Sequence, residues 1–199
     1  MISKDSRKVV GEYVFLSKYS QTHNGVKETW DEAVNRVMTM HWNRYKEIVN
    51  EADMPEFERL FGFAEKLYHQ QRILGAQRAL QYGGELMLEK HARFYNCSST
   101  YIDRVEVFEE IMYLLLCGAG TGYSVQRIHT DQLPIPKGFN PKLEKKVFVI
   151  PDTIEGWAEA AGELIEAYYY GRAEVLFDYS QIRPKGAYIR GGLRAPGPE

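Results

Sequence analysis

Cys97 stands in Tyr95-Asn-Cys-Ser-Ser99, where the pattern predicts the end of a strand entering a turn. In α/β sheets functional groups gather at the C-terminal ends of strands. A thiol placed there beside hydroxyls and an amide is suited to redox or nucleophilic work. A buried structural cysteine is the other reading of the same pattern. Gly118-Ala-Gly-Thr-Gly122 lies between a predicted helix and a predicted strand. Glycines this dense let a backbone approach a ligand closely. Phosphate-cradling loops, however, run from strand into helix, so neither a P-loop nor a dinucleotide fingerprint is satisfied. A flexible connection is the alternative. Cys117 ends an apolar helix and reads as core. Lys185, Arg190 and Arg194, set among Pro184-Lys-Gly186, Gly191-Gly192 and Pro196-Gly-Pro198, form a basic, glycine-rich tail. Such a tail either holds a nucleotide phosphate by charge and backbone amides or is a disordered C-terminus. The five histidines, His23, His41, His69, His91 and His129, show no ligand spacing, and no CxxC occurs, which speaks against a metal site. The Gly-x-Ser-x-Gly elbow of the common hydrolases is also missing. Glu109-Glu110 reads as a solvated helix face.

The elements that must position these residues follow from period and punctuation. Residues 1–28 read as irregular, with an extended Tyr13-Val-Phe-Leu16 and a turn at His23-Asn-Gly25. Thr29 followed by Glu32 is a capping box, which predicts a helix to about Asn50. Pro55 suits the first turn of a second helix, with Phe57, Leu60, Phe61, Ala64, Leu67 and Tyr68 on one face, fading near Leu74-Gly75. Gln81-Tyr-Gly-Gly84 reads as a turn before a short helix through Leu86-Met-Leu88. Phe94-Tyr-Asn-Cys97 reads as a buried strand. A strongly apolar helix starts at Asp103 and ends at Cys117-Gly118 with a glycine cap. Tyr123–Ile128 alternates as a strand, residues 130–146 as a long loop, and Val147–Ile150 as a short strand. Asp152 with Glu155 caps the longest amphipathic helix, Ile154, Trp157, Ala158, Ala161, Leu164, Ile165 and Tyr168 form its stripe, and Gly171 stops it. Val175-Leu-Phe177 is again a strand. From Phe94 onward strands alternate with helices, the rhythm of an α/β layout with parallel strands and crossover helices.

Composition bounds the function classes. The chain has 199 residues, 44% hydrophobic and 26% charged, with a formal net charge of -2, so charge gives no reason to expect a nucleic acid or membrane partner. No apolar run approaches the roughly 20 residues that span a bilayer. The polar N-terminus, Met1 to Lys8, lacks a signal-peptide apolar core, and two cysteines make no disulfide framework. The expectation is a cytoplasmic protein. Fourteen Tyr and nine Phe are many for the length, and packing a core is their commoner use.

Six segments, in order, resemble the class II, adenosylcobalamin-dependent ribonucleotide reductases. They are Arg78–Gly84, Phe94-Tyr-Asn-Cys-Ser98, Met112–Gln126, Asp152-Thr-Ile-Glu-Gly-Trp157, Ala167-Tyr-Tyr-Tyr-Gly171, and Ile182–Ala187 with Gly191-Gly192 and Ala195–Glu199. The likeness is nearest to the monomeric, triphosphate-reducing branch. It implies a helical N-terminal region over residues 1–90, then, over 91–199, the first strands and helices of a ten-stranded α/β barrel, left incomplete. It implies conversion of ribonucleotides to 2′-deoxyribonucleotides by thiyl-radical chemistry, hence a role in deoxyribonucleotide synthesis. Cys97 falls where the family keeps one of the two thiols that become a disulfide as the ribose is reduced. Asn96, Ser98, Gly118, Ala119, Gly120, Thr121 and Gly122 fall on the substrate side. Arg190, Gly191, Gly192 and Arg194 fall on the loop that relays the effector's identity, and Asp103 lies near the effector's sugar in dimeric members. The implied partners are a ribonucleotide substrate, a deoxynucleotide effector and a thiol reductant, with adenosylcobalamin bound in the complete enzyme.

The departures are as informative. The family's radical-bearing cysteine, its neighbouring glutamate and the partner of Cys97 fall beyond residue 199. Gly75-Ala-Gln77 stands where the family has Pro-Ser-Met, and Ala195-Pro-Gly where it has Ala-Ser-Gly. The expectation is a reductase fragment active only with a second polypeptide that completes the barrel, as in a split or interrupted phage gene. A non-catalytic nucleotide-binding remnant or regulatory module is the alternative.

Overall fold

The computed structural model describes residues 4–23, 25–189 and 193–198. They form two units, one of residues up to 94, the other of residues 95–189 with the strand and tail from 193.

The first unit is helical. Contrary to the irregular start expected, Lys4–Lys18 is a helix, α1. The extended signal covered only four residues, and the surrounding stretch has no proline to stop a helix. Phe15 is buried and its ring meets Trp30 edge-on at 5.4 Å, an anchor that lies 15 positions away and leaves no local trace. A two-stranded ribbon follows, β1 (Thr22–His23) and β2 (Val26–Lys27), with Gly25 at φ +82° between them. Asn24, the middle of the expected turn, lies outside the described residues. Helix α2 (Trp30–Tyr45) begins with the expected capping box: Thr29 Oγ1 accepts from the Glu32 amide and the Glu32 carboxylate accepts from the Thr29 amide. It stops at Tyr45, short of Asn50. Helix α3 (Met54–His69) starts with Pro55 in its first turn. Of its expected face Tyr68 is buried, Phe57 and Phe61 pack on Trp42 at 5.5 and 5.4 Å, and Leu60 is exposed. Short helices α4 (Gln77–Tyr82) and α5 (Glu85–Glu89) and a 3-10 turn at His91–Phe94 complete the unit. Ala33, Val34, Val37, Met38 and Met40 of α2 are the middle of its core, with Ala79, Leu80 and Met87 packed on them.

The second unit repeats one device. Strand β3 (Cys97–Tyr101), helix α6 (Val107–Leu116) and strand β4 (Gly120–Ser124) form a parallel crossover; so do β5 (Lys146–Val149), α8 (Ile154–Tyr170) and β6 (Val175–Asp178). Between them lie the short helix α7 (Arg127–Thr130) and the long proline-rich loop. The parallel pairing and crossover helices are those expected. A ten-stranded barrel is not formed among the described residues, whose strands pair as four separate two-stranded sheets. The expected strand through Ile128 ends at Ser124, and Arg127 begins helix instead.

Helix α8 is capped by Thr153, not by Asp152: Thr153 Oγ1 accepts from the Gly156 amide at 2.9 Å. Asp152 instead accepts from Arg183 Nε at 2.5 Å. Thr153→Ala is expected to cost about 1 kcal/mol of stability, read from denaturant unfolding. A variant as stable as the parent would show the cap to be idle. Gly171, at φ +68°, ends the helix as expected. The buried face of α8 is made of small residues, Gly156, Ala158, Ala160, Gly162 and Ala167, which lets α6 approach closely. A last ribbon pairs β7 (Tyr188–Ile189) with β8 (Leu193–Arg194).

Candidate functional site

The register of β3 on β4 decides what surrounds the thiol. Cys97 lies beside Gly120, Ser98 beside Thr121 and Ser99 beside Gly122. Successive strand residues point to opposite faces. Cys97, Ser99, Gly120 and Gly122 therefore share one face, and Ser98 and Thr121 share the other. On that second face the two hydroxyls bond each other at 2.9 Å and are half-buried. On the first, Cys97 is exposed and its strand neighbours carry no side chain.

This placement corrects two expectations. Cys97 opens strand β3 rather than ending one, because the chain before it is still in the 3-10 turn through Phe94. The segment Gly118–Gly122 is not a free loop. Gly118, at φ +91°, makes the turn that only glycine takes easily, and Gly120-Thr-Gly122 are strand residues. The Gly120 amide donates to the Asn96 carbonyl at 2.8 Å, which ties the thiol's own neighbour into the ladder.

Neither strand glycine is demanded by the described residues. Neither has positive φ, and an added Cβ would meet only Asn96 O at 3.7 Å or Ser98 O at 3.9 Å, ordinary contacts. Their bareness leaves room beside the thiol. Asn96 is exposed and Ala119 is buried. Tyr101, on the same strand and the same side as Cys97, extends the face, and its exposed ring stacks on His129 at 4.2 Å. The alternation of residues 97, 99 and 101 was the only sequence signal for this aromatic, and nothing local tied it to His129.

Cys117 is fully buried at the end of α6, as a core residue. The guanidinium of Arg194 lies over the Tyr188 ring at 4.3 Å and donates to the Tyr188 hydroxyl and to Gly186 O, each at 2.9 Å. Arg190, Gly191 and Gly192 lie outside the described residues. Asp103 accepts from Arg104 at 2.7 Å.

Glu109 is not the solvated residue expected. It is half-buried and its carboxylate rests on Gly162 of α8, so that a methyl group there would collide with it. Burial, reinforced by Glu159, Glu166, Glu110 and Glu163, pushes its carboxyl above the usual range. The folded state thus holds this proton more tightly than the unfolded chain, and stability falls as pH rises from the ordinary carboxylate range through the raised value. Glu109→Gln is expected to raise the melting temperature at pH 7 and to leave it unchanged at pH 4. An equal change at both pH values would sink this account.

Comparisons with known proteins point one way. A model described as the insertion domain of B12-dependent ribonucleotide reductases matches residues 135–199. An adenosylcobalamin-dependent ribonucleoside-triphosphate reductase of Euglena gracilis is 28% identical over 95% of this chain and 28% of its own length. A probable enzyme of the same description from Dictyostelium discoideum is 26% identical over 92% of this chain and 27% of its own. The chain thus spans little more than a quarter of these relatives. A crystal structure of a B12-dependent, class II ribonucleotide reductase superposes with a TM-score of 0.74 at 21% identity, over 94% of this chain and 34% of that one.

Proposed function

We propose, from the relation of this chain to the N-terminal part of the class II, B12-dependent ribonucleotide reductases, that it supplies one redox thiol and one wall of the substrate site to such a reductase. The observation that carries the reading is the exposed thiol of Cys97 in register with a side-chain-free strand position. A sugar laid over Gly120 and Gly122 can come close to the sulfur, with backbone groups and Asn96 to orient it. The electron balance explains the need for a thiol. Loss of the 2′-hydroxyl as water takes up two electrons and two protons, and two thiols that join as a disulfide supply both. The second thiol comes from outside residues 1–199, because Cys117 is sealed in the core. The substrates are ribonucleoside triphosphates, the class named for the relatives, and the segment around Arg190 to Arg194 answers to a deoxynucleotide effector.

The cofactor belongs to the complete enzyme. Bound in the complete enzyme, adenosylcobalamin would supply radical chemistry at a cysteine outside residues 1–199. Among the described residues there is no cluster of three His, Cys, Asp or Glu able to hold a metal. None of them is assigned to the cofactor. The rest of the barrel, the radical cysteine and the reductant's docking site lie in the remaining length of the relatives, on a second polypeptide or on the same one.

The test is reduction of ribonucleoside triphosphates with adenosylcobalamin and a dithiol, for this chain alone and together with a polypeptide carrying the remaining length. Activity in the combination alone is the expected result. A folded combination that binds nucleotide but never reduces it would favour a regulatory nucleotide-binding role instead.

A further inference from the structure

The helical unit contains a cavity of about 650 Å³ that the reductase reading does not use. That volume is within the range of small-molecule sites. One wall is α1, where Arg7, Gly11 and Phe15 follow at four-residue spacing and so share a face. The opposite walls are the Lys27–Trp30 segment entering α2 and the stretch from Gln71 to Leu80.

The chemistry of its lining indicates what it suits. Gly11, an exposed residue of α1, leaves this side open: a Cβ there would meet nothing within 4 Å. Gln71 also lines the cavity, at φ +56°, where the chain leaves α3: its amide donates to Tyr68 O and the Arg72 amide to Leu67 O, an ordinary helix ending. The rim of the cavity is charged. Arg7, Lys8 and Lys27 line the cavity against Glu12 and Glu28, and the Glu28 carboxylate is already bound by Arg36. The floor is aromatic, with the edge-on pair of Phe15 and Trp30.

We propose that this cavity binds a small organic anion with a flat aromatic body, its rings against Trp30 and Phe15 and its anionic head towards Lys8 and Lys27. The aromatic floor has large area at little entropic cost, and the cationic rim selects the sign of the head group. Helix α1 is anchored by Phe15, and just after it the Tyr19 hydroxyl donates to Gln77 Oε1 at 2.5 Å.

The experiment titrates the full chain with 1-anilinonaphthalene-8-sulfonate and with the uncharged N-phenyl-1-naphthylamine, following dye emission and tryptophan quenching. Saturable one-to-one binding of the sulfonate is expected, tighter than that of the neutral dye. Gly11→Phe should weaken it by about tenfold or more while the melting temperature holds or rises, since the new ring takes the ligand's place. Lys8→Glu, on an exposed side chain, should weaken the sulfonate about fivefold and leave the neutral dye unaffected. Sulfonate binding that is unsaturable, or that survives both substitutions in folded protein, would overturn the proposal. Equal loss of both dyes in Lys8→Glu would remove the assignment to anions.

Discussion

Reduction by the assembled enzyme is expected to fall by at least about three orders of magnitude when Cys97 is replaced by Ser, because thiols that act as a unit are not partly dispensable. A serine hydroxyl keeps the size and polarity of the side chain but cannot form a disulfide. The side chain is exposed, so the substitution removes no packing, and the melting temperature should hold within a degree or two. Nucleotide binding should also survive, since the bare face at Gly120 and Gly122 is untouched. The decisive measurement is deoxynucleotide formed per enzyme with dithiol in excess. Near-parental turnover by the Cys97→Ser protein would remove Cys97 from the redox pair and with it the main support for the proposed role.

The second large effect concerns the helical unit. Arg36→Met is expected to lower its stability by about 3–5 kcal/mol, the usual loss when one partner of a buried ion pair is removed. Glu28 is only 5% exposed, and its carboxylate is held by Arg36 Nε at 3.0 Å and by a shorter contact from Nη2. The same guanidinium donates to Leu80 O at 2.7 Å and to Gly83 O at 2.9 Å, closing the C-terminal carbonyls of α4. Methionine fills the stem's space and satisfies none of these groups. Denaturant unfolding measures the loss, and Glu28→Gln in the same background should recover part of it by removing the stranded charge. A loss under about 1 kcal/mol would mean that water replaces the guanidinium without cost.

What could be read in advance was what neighbours in sequence decide. The capping box at Thr29 and Glu32, the proline opening α3 and the glycine ending α8 each act within one turn, and each appears where expected. The alternation of strands with helices after Phe94 was legible for the same reason. What could not be read depends on distant partners. Helix α1 is decided by Phe15 reaching Trp30. Arg36 looks like any charged helix residue until its partners, 8 to 47 positions away, are known. For the site, the residue types around Cys97 were visible, but the register that sets it against Gly120, 23 positions on, was not. Glu109 was misplaced because the glycine that admits its carboxylate belongs to another helix.

The two parallel crossovers carry a further consequence. With only two strands in each described sheet, every strand keeps one flank of backbone amides and carbonyls without a ladder partner among the described residues. Such a flank accepts any passing extended segment, its own copies included. Apolar side chains along these strands, Val147 and Leu176 among them, are exposed as well. A companion segment that pairs with those margins is therefore expected to suppress self-association of this polypeptide, acting on it as a chaperone does.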